Sequence, residues 1–264
     1  IYVAQIGQNR LLHNNGDGTF ADHTEQASIP QSSWTTSCII ADLNGDSFPD
    51  LYDVNYVQGT DVFERICADS DGQPAMCLPG DFDAAADCLW INDGRGSFTD
   101  GTLSELSSVP AGKGLGVVAF DAEGNGQLGL FVANDTTPNF WFQPSLLSGG
   151  RYKISEQGLA SGLAFSGEGK AKGCMGVAAS DVNDDGKIDL LVTNFLNESN
   201  TLYLNQGMGQ FSDGTLASGL QEPSRRVLSL RCRRRRNPTP ARQEARWRAQ
   251  RSRIRRSRCV VLSA

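Results

Sequence analysis

The sequence predicts an all-β fold assembled from repeated hairpin units. Two short motifs alternate along residues 1–224, and each occurs three times. The segments between them alternate apolar and polar residues with a period of two and are bounded by Asn, Asp and Gly, which is typical of antiparallel strands joined by tight turns. Helical periodicity is almost absent, so we expect few helices.

The first motif is a glycine-containing turn followed by an aromatic residue. It occurs as "LLHNNGDGTFADHT" around Phe20, "LWINDGRGSFTDGT" around Phe98 and "LYLNQGMGQFSDGT" around Phe211. A weaker copy, "GRYKISEQGL", surrounds Tyr152. Asn and Asp next to Gly favour the left-handed backbone that tight hairpin turns require. Each copy therefore predicts a β-hairpin.

The second motif is an acidic loop between two strands. It begins at Asp42 in "ADLNGDSFPDLYDVN", at Asp121 in "FDAEGNGQLGLFVAND" and at Asp181 in "SDVNDDGKIDLLVTN". Small-residue segments such as "GVAASD" lead into each loop, and alternating segments such as "DLLVTN" lead out of it. Such a pattern places the loop between the two strands of a hairpin.

The acidic loops carry oxygen donors at alternate positions, and this spacing suits Ca²⁺. Counting the first aspartate as position 1, the third loop has side-chain oxygens at positions 1, 3, 5 and 9, a glycine at position 6 and a backbone carbonyl at position 7. Hard oxygen ligands on a flexible loop favour Ca²⁺ over Zn²⁺ or a redox metal. The predicted ligands of the third loop are Asp181, Asn183, Asp185, Asp189 and the carbonyl of Lys187.

The other two loops match this pattern less fully. The predicted ligands of the first loop are Asp42, Asn44, Asp46, Asp50 and the carbonyl of Phe48. Its position 6 is Ser47 instead of glycine. The middle loop has Gly129 at position 9, so we expect it to bind Ca²⁺ weakly or not at all. The donors that remain to it are Asp121, Glu123 and Asn125.

Two other interpretations fit the same loops. An EF-hand begins with this spacing but requires a bidentate Glu at position 12 and a helix on each side. Position 12 is Asp53, Val132 or Val192 here, and the predicted flanks are strands. Asp- and Gly-rich turns also close hairpins without any metal. Two loops with one donor pattern, each inside a repeat, favour Ca²⁺ over either alternative.

At these motifs the sequence resembles the FG-GAP (VCBS-type) repeats of integrin α-chain propellers. The style of "NRLLHNNGDGTFADHT" is most similar to bacterial members of the ASPIC/UnbV family, relatives of cartilage acidic protein. The resemblance covers residues 1–230 and implies a β-propeller with Ca²⁺ in its loops. About three complete repeats are fewer than the ~4–8 blades of a closed ring. We therefore expect an incomplete β-propeller.

The resemblance also implies a function and a location. It implies a secreted, periplasmic or cell-surface module that binds an extracellular protein or carbohydrate, for adhesion or interaction and without catalysis. His13 and His23 are the only histidines, both in the first hairpin motif, and neither a GxSxG nor an HExxH motif occurs. The alternative is a secreted propeller enzyme that acts on polysaccharide and holds Ca²⁺ structurally.

Cysteine placement fits an extracytoplasmic location. Cys67 and Cys77 lie ten residues apart in "ICADSDGQPAMCLPGDF", an insertion that lengthens the first repeat, and we expect them to form a disulfide. Two free thiols are the alternative, since the five cysteines before residue 231 leave at least one unpaired. No apolar run approaches the ~20 residues that a membrane span needs.

The end of the chain has the opposite charge to the rest. Residues 1–224 contain 9 basic and 29 acidic residues, a balance of 9 − 29 = −20, whereas residues 225–264 contain 15 and 1, a balance of +14. The repeat register places the next acidic loop between Arg233 and Pro240, inside the arginine run. Arginine codons of the CGN type, displaced by one base, encode Gly, Ala, Val, Asp or Glu. We therefore interpret residues 231–264 as a frameshifted, disordered tail; a nucleic-acid-binding arm is the alternative, although the acidic remainder argues against such a partner.

Overall fold

The computed structural model describes residues 1–30, 32–146 and 152–225. The predicted tail at 231–264 lies outside the described residues, as do the last residues of the predicted repeat unit at 1–230. The described chain is all-β, with three short α-helices and one 3-10 helix, which confirms the predicted class.

The secondary structure consists of twenty short strands and these few helical turns. The strands are β1 (Tyr2–Val3), β2 (Ile6–Gln8), β3 (Arg10–Asn14), β4 (Phe20–Asp22), β5 (Ser32–Ala41), β6 (Asp50–Asn55), β7 (Val57–Gln58), β8 (Cys67–Ala68), β9 (Pro74–Ala75), β10 (Asp83–Ala84), β11 (Cys88–Asn92), β12 (Phe98–Asp100), β13 (Gly114–Phe120), β14 (Gly129–Asn134), β15 (Phe140–Leu146), β16 (Tyr152–Glu156), β17 (Cys174–Ser180), β18 (Asp189–Asn194), β19 (Thr201–Gly207) and β20 (Gln210–Asp213). The helices are α1 (Thr102–Glu105), α2 (Gly158–Ser161), α3 (Gln221–Arg225) and the 3-10 helix Pro79–Asp81.

The strands form four larger sheets, and every strand pair is antiparallel. The first sheet has the order β1-β3-β4. The second has the order β12-β11-β6-β5-β2, in which four strands come from one repeat and β2 is added beside β5. The third and fourth sheets are simple meanders, β13-β14-β15-β16 and β17-β18-β19-β20. Each of the last three sheets therefore combines one acidic loop with the hairpin motif that follows it in the sequence, whereas the first sheet contains the first hairpin motif alone.

Neighbouring sheets pack through three buried clusters. The first and second sheets meet around Tyr2 and Trp90, and the third and fourth meet around Trp141 and Tyr203. Strand β13 contributes to two clusters, because Val117 lies between the second and third sheets and the next residue, Val118, lies between the third and fourth. A strand covered on both faces is expected to be apolar at consecutive positions.

The first strands of the second, third and fourth sheets lie side by side. Strand β5 contacts β13, and β13 contacts β17. The hydroxyl of Thr36 donates to the carbonyl of Gly114 at 2.7 Å, which joins the second sheet to the third. Gly114 leaves no room for a side chain, since a Cβ there would lie 2.1 Å from Cγ1 of Val54. Within the described residues the four sheets form an open series and not a closed ring.

The second sheet carries an insertion that the other sheets lack. Residues 56–87 connect β6 to β11, whereas residues 135–139 and 195–200 make the same connection in the third and fourth sheets. The ribbon of β8 and β9 is closed by a disulfide between Cys67 and Cys77, which confirms the predicted pairing. None of the helices among the described residues is long and apolar enough to cross a membrane.

Candidate metal-binding loops

The three acidic loops occupy equivalent places in three consecutive sheets. Each connects the first strand of a sheet to the second: β5 to β6, β13 to β14 and β17 to β18. Gly114 at the start of β13 lies against Asn55 at the end of β6, and Gly116 lies against Gly176 near the start of β17, so β5, β13 and β17 begin at the same end and their loops share the other. Strands flank every loop, so the EF-hand interpretation does not fit.

The aspartate at position 1 organises the backbone of each loop. The two carboxylate oxygens of Asp42 accept the backbone N–H groups of Gly45 and Ser47, at 2.7 and 2.9 Å. Asp181 accepts the N–H groups of Asp185 and Gly186, at 3.2 and 2.9 Å. The side chain therefore holds the turn in the shape that brings alternate residues to the same side.

Positions 3 and 5 continue this arrangement. In the first loop, Asn44 accepts the N–H of Asp46 at 2.9 Å, and Asp46 accepts the N–H of Phe48 at 2.8 Å. In the third loop, Asn183 accepts the N–H of Asp185 at 3.1 Å, and Asp185 accepts the N–H of Lys187 at 2.8 Å. At positions 3 and 5, the two loops predicted as the better sites thus share one hydrogen-bond pattern.

Position 6 has a left-handed backbone in all three loops. The φ angle is +72° at Ser47, +87° at Gly126 and +86° at Gly186. Glycine adopts this conformation without strain, whereas an L-residue with a Cβ atom pays about 1–2 kcal/mol for it. The first loop therefore keeps the shape of the third at a cost in stability.

Replacing Ser47 by Gly is expected to stabilise the chain by about 0.5–1 kcal/mol, since relief of the left-handed strain exceeds the entropy that glycine loses on folding. The reciprocal change, Gly186→Ser, is expected to destabilise it by a similar amount. Both are measurable as shifts of the urea midpoint in chelator-containing buffer. A Ser47→Gly variant less stable than the parent chain would contradict the strain assigned to this position.

The aspartate at position 9 joins two turns of its sheet. The carboxylates of Asp50 and Asp189 are fully buried. Asp189 accepts the N–H of Val182, inside its own loop, at 3.0 Å and the N–H of Asn205 in β19 at 2.9 Å. Asp50 likewise accepts from Leu43 and Asn92, both at 3.0 Å. Each carboxylate therefore fixes the acidic loop to the third strand of its sheet.

Asn92 and Asn205 support the acidic loops, and the sequence did not identify them. Asn205 donates from its amide group to the carbonyl of Ile188 at 3.1 Å, and its side-chain oxygen accepts the N–H of Gly207 in the next turn at 2.8 Å. Asn92 makes the same two kinds of contact in the second sheet, to Pro49 and Gly94. The signal in the sequence was the asparagine two residues before the first glycine of each hairpin motif.

The middle loop keeps the backbone pattern but lacks the buried carboxylate. Asp121 accepts the N–H groups of Gly124 and Gly126, at 2.7 and 2.6 Å. At position 9, a Cβ on Gly129 would lie 2.2 Å from Cη2 of Trp141, so the indole ring fills the space of the missing side chain. Glu123 accepts from Asn125 within the loop at 3.3 Å and from Gln143 of β15 at 2.9 Å.

The donor chemistry of the first and third loops fits a hard cation. Each carboxylate oxygen that accepts one N–H keeps lone-pair capacity for another contact. Within the described residues, the one group of three or more Cys, His, Asp or Glu side chains with ligand atoms inside 4.8 Å is Cys67, Cys77 and Asp81, where the two sulfurs are joined to each other. The loop carboxylates are spaced more widely, so metal binding has to draw them closer.

Two electrostatic features separate the first loop from the third. The ammonium group of Lys187 lies 3.3 Å from a carboxylate oxygen of Asp185 and competes there with any bound cation. Hydrogen bonding to the backbone N–H of Lys187 lowers the pKa of Asp185 below its ordinary value. Burial raises the pKa of Asp50 to about 6, although the backbone N–H groups it accepts oppose that rise.

A protein-family model matches the N-terminal part of the chain. Residues 1–52 match the FG-GAP-like repeat. This segment contains the first hairpin motif and the first acidic loop through Asp50. No curated protein matches the sequence. The match supports the FG-GAP part of the resemblance over these residues.

Among solved structures, the chain is similar to a lectin from Agrocybe aegerita that specifically recognises non-reducing terminal N-acetylglucosamine. The sequences are 16% identical, and the TM-score is 0.38. The alignment covers 84% of this chain and 54% of the lectin chain, so this chain spans about half the length of that protein. A TM-score of this size does not establish a common fold.

Proposed function

We propose that this chain is a Ca²⁺-binding, non-catalytic recognition module that acts outside the cytoplasm. The observation that supports this most directly is the shared hydrogen-bond pattern of the loops at Asp42 and Asp181, which present carboxylate and amide oxygens from positions 1, 3 and 5. Ca²⁺ would be held by these side chains and by the carbonyls of Phe48 and Lys187, and would supply charge neutralisation that rigidifies the loops.

The proposed architecture is an incomplete β-propeller. Its support is the pair of four-stranded antiparallel meanders in the third and fourth sheets, the contact of β5 with β13 and of β13 with β17, and the FG-GAP-like match over residues 1–52. Propeller blades are sheets of this kind that place one edge strand toward a common axis. The proposed family within the FG-GAP repeats is ASPIC/UnbV, on the motif style of the first hairpin.

The proposed location is the cell surface, the periplasm or the medium. The disulfide between Cys67 and Cys77 supports it, because such bonds persist in oxidising compartments and are rare in the cytosol. The proposed partner is an extracellular protein or carbohydrate. A screen against uronic-acid polymers separates this proposal from a polysaccharide-degrading enzyme: turnover refutes the non-catalytic assignment, and saturable binding without turnover supports it.

Calcium is expected to raise the melting temperature of the chain, and chelation is expected to lower it. A ligand that binds only the folded state adds RT ln(1 + [L]/Kd), about 2.7 kcal/mol at a hundredfold excess over Kd. Asp185→Ala removes a proposed ligand and is expected to reduce the calcium-dependent shift. Asn125→Ala, at the same position in the middle loop, is the matched control and is expected to leave the shift nearly unchanged.

Scanning calorimetry with Ca²⁺, with Mg²⁺ and with chelator measures these shifts. Equal losses in Asp185→Ala and Asn125→Ala would contradict the ranking of the loops. A melting temperature that is the same in Ca²⁺ and in chelator would refute the calcium assignment itself.

A further inference from the structure

The insertion at residues 56–87 forms an open cleft against the end of the second sheet. The cleft has a volume of about 380 Å³ and is lined by residues of β5, β7 and the disulfide-closed ribbon. This volume lies within the ~300–1,000 Å³ of ligand pockets. We call it the insertion cleft, and its main lining residues are Trp34, Tyr56, Val62, Ile66, Met76 and Leu78.

The apolar side chains at the cleft are unusually exposed. Ile66 is 79% exposed, Met76 is 90% exposed and Leu78 is 68% exposed. Phe63, which is 66% exposed, stacks on Trp34 with ring centroids 5.1 Å apart. Isolated apolar residues on a surface are ordinary, but a contiguous group of large ones marks an interaction site.

The cleft is built on a fixed frame. The disulfide between Cys67 and Cys77 closes the ribbon that carries Met76. The guanidinium of Arg65 lies 5.0 Å from the ring centroid of Phe82, and its Nε donates to Asp61 at 2.7 Å. A preorganised surface loses less conformational entropy on binding, so the exposed side chains are held ready for a partner.

The insertion that forms the cleft is strongly acidic. Apart from the buried Asp87, residues 56–87 contain six acidic side chains and Arg65 as the one base, a balance of 1 − 6 = −5. The six are Asp61, Glu64, Asp69, Asp71, Asp81 and Asp83. The negative charge of the insertion attracts basic groups and speeds their association, while the apolar lining of the cleft supplies the burial energy.

The lining favours a protein segment over a saccharide. Sugar hydroxyl groups need polar partners around the ring, yet the hydroxyl of Tyr56 already donates to Asp135 at 2.7 Å and Arg65 is held by Asp61. The rest of the lining is largely aliphatic and includes Val62 and Met76. Aliphatic walls gain most from burying hydrocarbon, which a Leu, Ile or aromatic side chain provides.

We propose that the insertion cleft binds an extended segment of a partner protein that presents a large apolar side chain flanked by Lys or Arg. This inference rests on the proposed recognition function and gives it a site and a class of partner. The apolar side chain enters between Trp34 and Met76, and the flanking cations pair with exposed carboxylates of the insertion. The calcium loops lie at the other end of the sheets, so the cleft does not depend on their ligands directly.

A phage library of random twelve-residue peptides, selected on the immobilised full chain, tests the proposal. Enriched peptides are expected to combine a large apolar residue with flanking Lys or Arg. The best peptide, made synthetically, is expected to bind at least tenfold more weakly to a chain carrying Met76→Gln and Ile66→Gln. It is also expected to weaken as NaCl rises from 50 to 500 mM, because salt screens exposed charges.

The control variant is Met208→Gln. Met208 is 88% exposed, as Met76 is, but lies in the hairpin between β19 and β20. It is expected to bind the peptide as the parent chain does. Met76 and Ile66 are exposed, so their replacement by Gln leaves the fold intact, and an unchanged circular dichroism melt verifies this.

Three outcomes overturn the proposal. They are a selection that enriches no peptide or only acidic ones, equal binding by the Met76 and Ile66 double variant and the Met208 variant, and a glycan-array signal that disappears in the double variant, which assigns the cleft to a saccharide. The calcium experiment is independent of this one. If the chain selects peptides but its melting temperature does not respond to Ca²⁺, the calcium assignment is refuted and the proposal for the cleft still holds.

Discussion

Replacing Asp189 by Ala is expected to destabilise the chain by about 2–4 kcal/mol. The carboxylate is fully buried and accepts the N–H groups of Val182 and Asn205, so its removal leaves two backbone donors without their partner. A buried donor left unsatisfied costs about 1–3 kcal/mol. The N–H of Val182 is partly accessible and can recover a bond to water, which keeps the total below the sum of two full penalties.

Urea denaturation in chelator-containing buffer measures this loss without any contribution from metal. Asp189→Asn retains one acceptor oxygen and is expected to lose less stability than Asp189→Ala. Asp185→Ala, at the exposed end of the same loop, is the control and is expected to have a much smaller effect. If the variants at Asp185 and Asp189 lose equal stability, the carboxylate at position 9 does not fix the loop to β19 as described.

The third sheet has no carboxylate at position 9, and an aromatic side chain takes its place. Gly129 replaces the aspartate, and Trp141 of β15 occupies the space. The indole ring also packs on Phe120 at 5.0 Å and on Phe211 at 5.8 Å between ring centroids. Apolar packing between the third and fourth sheets thus replaces the buried aspartate side chain, with its two hydrogen bonds, that the second and fourth sheets use.

The sequence predicted the repeats and their order because these depend on local patterns. Period-two segments gave the strands, and the motifs around Phe98 and Phe211 gave the hairpins β11–β12 and β19–β20. The spacing of cysteines gave the disulfide of the insertion. Such features need only neighbouring residues, so a single sequence contains them.

The double role of the position 9 aspartates was not predictable in the same way. Asp50 and Asp189 were predicted as metal ligands from spacing alone, and that role stays a prediction. Their bonds to Asn92 and Asn205 join residues 42 and 16 positions apart, which no local period encodes. The insertion cleft was missed for a similar reason, because it forms only when residues 56–87 fold against Trp34.

Stability is expected to fall as the pH rises from about 4 to about 7, and Asp87 is expected to be a main cause. Its carboxylate is 7% exposed, accepts the hydroxyl of Tyr52 at 2.9 Å and accepts the N–H of Asn55 at 2.8 Å. Burial, aided by the nearby charge of Asp53, raises the pKa of Asp87 to about 7. Burial also raises the pKa of Asp53 to about 6.

The direction follows from proton uptake in the two states. Between the unfolded pKa near 3.8 and the folded pKa near 7, folded Asp87 holds a proton that the unfolded chain has released. The folded state is therefore favoured at low pH, and this advantage disappears as the pH passes about 7. A shift of about three pKa units corresponds to a contribution on the order of 4 kcal/mol.

Urea titrations at intervals between pH 4 and pH 8 measure this slope. Asp87→Asn is nearly isosteric and keeps an oxygen for the N–H of Asn55, while its new amide group can donate to the hydroxyl of Tyr52; we expect it to flatten the slope markedly. Asp61→Asn is the control, because Arg65 lowers the pKa of that exposed carboxylate and its titration lies below the window. A slope that Asp87→Asn leaves unchanged would mean that the buried carboxylate stays ionised throughout, and that its bonds to Tyr52 and Asn55 outweigh the cost of burial.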